Sequence, residues 1–158
     1  MKPYEHRAVQ SRDFEIIATF PQNRNELFFM YPKGIYPLTA QQLEEAAMTR
    51  THPIVVTRGQ QVAGYCNLYD VTQEDCWLGN VIVAPAFRGG GAGGYMIRTM
   101  MDYAREELQV AKFRLVCHNT NTAALLFYTK LGFTPFGIKT LNGPDGQEIA
   151  GIKMEQSL

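Results

Sequence analysis

Val81-Ile82-Val83-Ala84-Pro85-Ala86-Phe87-Arg88-Gly89-Gly90-Gly91-Ala92-Gly93-Gly94 runs from an apolar strand through a proline turn and an arginine into five glycines in six positions, where a helix begins. Glycine loses more backbone entropy on folding than any other residue, so such a cluster has a backbone job. Between a strand and a helix, that job is to let consecutive N–H groups approach an anion. With the positive end of the helix dipole they form a phosphate cradle, and Arg88 adds a fixed cation beside it. Two common phosphate loops do not fit. The Walker A pattern needs lysine and then serine or threonine after the last glycine, whereas this loop continues Gly93-Gly94-Tyr95. Gly89, Gly91 and Gly94 satisfy the dinucleotide spacing G-x-G-x-x-G. That fingerprint also needs an acidic residue ending the next strand, and Lys112 to Cys117 is followed by His118-Asn119. Too little chain follows for a full doubly wound sheet.

A third pattern fits better. Arg88-x-x-Gly91-x-Gly93 resembles the pyrophosphate loop of the GNAT superfamily of acetyl-coenzyme A-dependent N-acetyltransferases. Downstream, Asn121-Thr122-Ala123-Ala124-Leu125-Leu126-Phe127-Tyr128-Thr129-Lys130-Leu131-Gly132-Phe133 is similar to that family's second motif: an asparagine opens a helix, a tyrosine follows two turns later, and Gly-Phe closes it. The resemblance implies acetyl-CoA as co-substrate, with its pyrophosphate on Gly89, Gly90, Gly91, Ala92, Gly93 and Gly94 near Arg88. It implies that Val81, Ile82 and Val83 line the pantetheine arm and that Asn121 touches the coenzyme. It also places Tyr128 at the thioester sulfur, as the acid that protonates the leaving thiolate. Each residue has a plainer role beside this one. Asn121 is a good helix N-cap in its own right, and a tyrosine between Leu125 and Leu131 is often core with its hydroxyl solvated.

The base is less legible. An attacking ammonium of pKa about 10 must lose a proton first. Many family members carry a carboxylate on the strand before the loop, but here that strand is Cys76-Trp77-Leu78-Gly79-Asn80-Val81-Ile82-Val83. The candidates are Glu74 and Asp75, expected in a solvated turn just before it, and Glu26 beside Phe28-Phe29-Met30-Tyr31. A water relayed through backbone carbonyls is the other route. His6 and His52 fall near strand starts, while His118 ends the strand facing the coenzyme region. No pair has metal-ligand spacing, so no metal is expected.

These residues need a scaffold. The 158 residues, 46% hydrophobic and 19% charged, are those of one globular domain spanning 1–158. Periodicity and turn signals predict strands at Glu5–Val9, Pro53–Arg58, Gln61–Tyr69, Cys76–Val83, Lys112–Cys117, Phe133–Ile138 and Glu148–Met154. Helices are predicted at Asp13–Phe20, from Asn25 as cap through Phe29, from the capping box Thr39-Ala40-Gln41-Gln42 to about Arg50, at Ala92–Leu108 and at Asn121–Leu131. The stripe Met96, Ile97, Met100, Met101, Ala104, Leu108 is core packing. This order is α+β. It agrees with the resemblance, which implies a mostly antiparallel sheet of six to seven strands, four to five helices, and splayed central parallel strands.

Fifteen basic and fifteen acidic residues give zero net charge, so no nucleic-acid or anionic-membrane partner is expected. No apolar run approaches the roughly 20 residues of a membrane span, and Met1-Lys2-Pro3-Tyr4-Glu5 has no signal-peptide character. Cys66, Cys76 and Cys117 lie in strand-like segments, an odd set that points to reduced thiols in the cytoplasm. The function expected is acetyl transfer from acetyl-CoA to a primary amine by direct attack, in a monomer or homodimer. The alternative is a catalytically silent CoA-binding sensor or interaction module. Substrate choice falls to the loops Pro21–Pro37, Leu68–Asp75 and Leu141–Gln147. They hold no acidic cluster, which disfavours polyamines and aminoglycosides and leaves small amines, amino acids and peptide amino termini.

Overall fold

Ile54, Val55 and Val56 are consecutive on one strand and all fully buried, as are Tyr65 and Cys66 on the next. Neighbouring strand residues point to opposite faces, so the centre of this sheet is covered on both sides. In the computed structural model, which describes residues 1–158, the strands are β1 (Tyr4–Ala8), β2 (Thr51–Arg58), β3 (Gln61–Tyr69), β4 (Asp75–Val83), β5 (Lys112–His118), β6 (Thr134–Asn142) and β7 (Glu148–Ser157). They form one seven-stranded sheet in the order β1-β2-β3-β4-β5-β7-β6. Only β4 and β5 run parallel; every other neighbouring pair is antiparallel.

Two apolar clusters cover the two faces. On one, α1 (Asp13–Ile17), α2 (Arg24–Met30) and α3 (Ala40–Ala47) pack Phe14, Ile17, Leu27, Met30 and Leu43 against Val55, Tyr65 and Ile82. On the other, α4 (Ala92–Tyr103) and α5 (Thr122–Lys130) pack Met96, Ile97, Met100 and Tyr128 against Ile54, Val56, Cys66, Phe113 and Phe133. The methionine stripe is therefore core. α4 runs on through a wider turn, Ala104–Leu108, and stops at Gln109 in a left-handed conformation. No helix is long and apolar enough to cross a membrane.

The helix and strand ends differ from expectation for local reasons. Asn23, not Asn25, caps α2: its Oδ1 accepts from the Glu26 N–H at 2.9 Å. Thr39 caps α3, but the Gln42 side chain turns to Ile35 and Pro37 instead of back to the Thr39 N–H, so the capping box is only half formed. α3 ends at Ala47, which leaves Arg50 outside the helix. β6 and β7 are longer than expected, and β6 consumes the start of the expected loop Leu141–Gln147, which closes as Gly143 N–H to Gln147 O at 2.7 Å.

The first strand and first helix are tied by charge. Asp13, only 4% exposed, takes Arg7 in a fork at 2.7 and 2.9 Å and the Gln10 N–H at 2.7 Å. Burial by itself would raise the Asp13 pKa; the bonds to Arg7 and Gln10 overcome this and hold it below the usual carboxylate range. A depressed carboxylate contributes stability above its unfolded pKa, near 3.9, and that stability is lost as pH falls through the folded value. Arg7→Met is expected to cost about 1–3 kcal/mol at pH 7. The difference from wild type should shrink below about pH 4, as measured by urea denaturation across that range.

Candidate active site

The parallel ladder between β4 and β5 covers only Asp75–Trp77 against Lys112–Arg114. Arg114 latches that end: it binds Asp75 Oδ2 at 2.8 Å and Glu155 Oε1 at 3.0 Å, with its guanidinium over the Phe136 ring, 4.6 Å from the ring centre. Beyond it the strands part, and a cleft of about 750 Å³ opens between Leu78–Val83 and Leu115–His118.

A bulge in β4 helps set the fork. Tyr65 lies opposite Ile82 and Asn67 opposite Gly79, so Asn80 and Val81 together face Cys66. The extra residue bends and re-aims the strand. Asn80 sits at φ 49°, a left-handed conformation that asparagine tolerates better than most residues. It is buried, and its side chain is fully used: Oδ1 accepts from Asn67 Nδ2 at 2.9 Å, and Nδ2 donates to Met30 O at 2.9 Å.

At the mouth of the fork, Pro85–Phe87 makes one tight turn and the glycines follow. Gly91 caps α4 at φ 90° and Gly89 lies at φ 76°. A Cβ on Gly89 would meet nothing within 4 Å and one on Gly91 only Tyr4, so backbone conformation, not crowding, calls for glycine there. The N–H groups of Gly89, Gly91, Ala92, Gly93 and Gly94 have no acceptor in the protein, and that of Gly90 has only Phe87 O at 3.3 Å. Open N–H groups at a helix N-terminus form an anion site. Gly93 has a second constraint, since a Cβ there would lie 3.3 Å from Phe127 Cζ.

Arg88 does not stand free beside this cradle. Its guanidinium clasps Glu26 at 2.8 and 3.1 Å and also donates to Phe20 O and Val83 O. This contact crosses the fold from the loop to α2, so the cation is fixed, and paired, beside the loop. It also bears on the base. The Arg88 bond holds the Glu26 carboxyl below its ordinary pKa, which makes it a weak proton acceptor. Asp75 is the first residue of β4, bound to Arg114, not part of a solvated turn; exposed Glu74 lies outside the cleft, as Asp75 does.

The second motif meets the first across the cleft. Asn121 caps α5, its Oδ1 accepting from the Ala124 N–H at 3.4 Å, and it lines the cleft with Ala124, Phe127 and Tyr128. The Tyr128 hydroxyl makes no hydrogen bond within the protein, although the residue is only 9% exposed. Burial, with Cys117 and Cys66 nearby, raises its pKa, so the phenol keeps its proton. Burial likewise pushes Cys117 up to about 11 and Cys76 up to about 12, and both are inert as thiols. Of the histidines only His118 reaches the cleft, against Phe28 and Phe29 with ring centroids at 4.7 and 5.8 Å. Burial and the Lys139 charge lower its pKa, so it is neutral at pH 7. Arg50, Asn80 and Lys139 also line the cleft and were not singled out from the sequence, whereas Phe127 lies in the second motif and Leu141 opens one of the loops expected to choose the substrate. Only Gly79-Asn80, a small and polar pair inside an apolar strand, carried a local signal of a bulge.

The sequence profile of the Acetyltransferase (GNAT) family matches residues 17–133, and the chain belongs to that family. Among solved structures it is similar to spermidine N-acetyltransferase from Vibrio cholerae, solved with CoA and spermine: TM-score 0.81 and 21% identity, covering 98% of this chain and 95% of that one. It is also similar to the ribosomal-protein-S18-alanine N-acetyltransferase of Escherichia coli: TM-score 0.73 and 20% identity, over 98% and 94%. A Bacillus subtilis (strain 168) protein, named as a candidate [ribosomal protein bS18]-alanine N-acetyltransferase, is 28% identical over 98 residues. That match spans 60% of this chain and 64% of the relative's length.

Gly91→Val tests the cradle. The left-handed φ makes any side chain cost about 1–2 kcal/mol of stability. Branched methyls over the open N–H groups should also weaken coenzyme A binding about tenfold or more, the equivalent of one charge-assisted bond. Calorimetry with coenzyme A beside a melting curve measures both; unchanged affinity in the folded variant would rule out an anion cradle.

Proposed function

We propose that this protein, with residues 1–158 as one catalytic domain, transfers the acetyl group of acetyl-CoA to a primary amine by direct attack. The observation that carries the reading is that one cleft joins the open N–H cradle at α4 to the protonated, unbonded Tyr128 hydroxyl on α5. The N–H groups of Gly89 to Gly94 suit a pyrophosphate. The edge of β4 at Val81, Ile82 and Val83 faces the fork without a strand partner and offers backbone groups to the pantetheine amides. Asn121 fixes the start of α5 and borders the same arm.

Acetyl-CoA bound there supplies a thioester carbonyl carbon as electrophile and a thiolate as leaving group. The amine nitrogen forms the new C–N bond, the C–S bond breaks with its electron pair on sulfur, and Tyr128 gives its proton to that sulfur. The phenolate regains a proton from solvent. With Glu26 engaged by Arg88 and no other carboxylate in the cleft, the amine proton leaves to water. The relatives named above are described as acting on spermidine and on alanine of a ribosomal protein, which supports an amine acceptor. Three buried, unpaired cysteines suit a reducing compartment such as the cytoplasm.

Thiol release over a panel of amines tests the activity; tight CoA binding with silence throughout would favour a sensor module. Tyr128→Phe keeps the ring and its packing. It is expected to lower kcat toward the small end of about 10²–10⁴-fold, the usual share of a general acid, since a thiolate leaves readily. The coenzyme Kd should stay nearly constant. Wild-type kcat, measured where chemistry is limiting, would return Tyr128 to the core. Water as proton acceptor predicts that kcat/KM climbs with pH until the amine itself is deprotonated, near 8–10. Glu26→Gln should leave the shape of that profile intact, whereas loss of an acid limb would make Glu26 the base.

A further inference from the structure

The cleft passes between the two faces of the sheet. The cradle and Tyr128 belong to the α4–α5 face. Asn80 bonds to Met30 of α2, and His118 packs on Phe28 and Phe29, so the other opening lies under α2. An amine would enter from that side, and the charges lining it are informative.

Arg50 leaves α3 and lays its guanidinium 4.5 Å from the centre of the Tyr69 ring, with Nη1 on Asn67 Oδ1 at 3.0 Å. Asn67 is fully buried and is itself held by the Tyr65 hydroxyl at 3.1 Å and by Asn80. Gly79 leaves room for this arrangement, because a Cβ there would collide with Arg50 Nη1. The guanidinium is thus fixed on three sides, yet Arg50 takes part in none of the ion pairs of the molecule. Lys139, exposed at the rim, is also unpaired. Glu26 is the sole carboxylate lining the cleft, and Arg88 neutralises it. A fixed guanidinium in a mostly apolar cleft, without a counter-charge, is complementary to a planar oxyanion. A second ammonium on the acceptor would face Arg50 and Lys139 with nothing to offset it.

Building on the acetyl-transfer reading, we propose that the acceptor is a carboxylate-bearing amine of amino-acid size, its carboxylate held by Arg50 with Lys139 at the rim. Phe29, Met30 and Leu141 line the same opening and suit an apolar side chain. The anion selects the acceptor and the amine points through the fork. Arg50 is a specificity residue: it binds substrate and moves no proton.

Two measurements test this on the intact protein. Initial rates are compared for L-methionine, L-leucine, their carboxamides and spermidine. Calorimetry on CoA-saturated protein compares N-acetyl-L-methionine with N-acetyl-L-methioninamide. The carboxylates are expected to win by about 10- to 100-fold in kcat/KM and in affinity, the range for a hydrogen-bonded charge. Arg50→Gln should erase that preference through KM with coenzyme A affinity close to wild type, at some cost in melting temperature because buried Asn67 Oδ1 loses its donor, and Arg50→Lys should restore part of the preference. Carboxamides or spermidine matching the amino acids, or Arg50→Gln keeping the preference, would overturn the proposal while leaving acetyl transfer intact. Failure of every amine would instead reject acetyl transfer. The calorimetric comparison, which needs no turnover and no variant, then decides the Arg50 site alone: carboxylate preference supports it and its absence overturns it.

Discussion

The early end of the β4–β5 ladder is the constraint on which the rest of the molecule turns. Two central strands that stop pairing leave backbone N–H and C=O groups facing a cleft, and such groups must find partners or remain hydrated. The fold makes this tolerable by locking both sides of the gap. Arg114 closes one end between Asp75 and Glu155, and the Asn80 bulge holds β4 to β3 and α2 beyond it. Apolar clusters on both faces keep the two halves of the sheet in one body although their middle is open. A fork held this way presents unpaired strand edges to an extended molecule carrying amides, which an ordinary closed sheet cannot do.

Electrostatics divides that cleft into two ends of different character. At the mouth, uncharged N–H groups and a helix dipole supply the attraction for an anion, while Arg88 is balanced by Glu26 and contributes little net charge. Its work is mechanical: the pair ties the loop to α2, and Arg88 also donates to Phe20 O and Val83 O. At the far end the charge is real and unbalanced. A protein with zero net charge overall therefore carries a local positive field where an acceptor would sit.

What the sequence disclosed and what it concealed follow from range. The glycine loop, the Asn121 cap and the Tyr128 position are signals carried within a few residues, and the seven strands and five helices follow from local periodicity. Their boundaries moved where a tertiary partner intervened, as with Gln42 turning to Ile35 or β6 extending along β7. Arg88 was legible as a cation but not as half of an ion pair, because Glu26 lies 62 residues away. Arg50 and Lys139 were illegible for the same reason. Arg50 looks like the end of a helix until α3 stops early, and only the register of β3 on β4 sets Asn67 and Gly79 beneath it.

Asn67 donates to Asn80 and accepts from Arg50 through opposite ends of one amide. The group that stabilises the bulge, and hence the fork, is therefore the group that fixes the uncompensated guanidinium. A buried polar network of this kind is costly unless every member is satisfied, and here the Tyr65 hydroxyl, two asparagines and the Met30 carbonyl complete one another. On the proposed reading, shape for the coenzyme arm and charge for the acceptor thus rest on one side chain. Altering Asn67 should disturb both together, whereas changes at Arg50 or Gly91 reach only one end of the cleft.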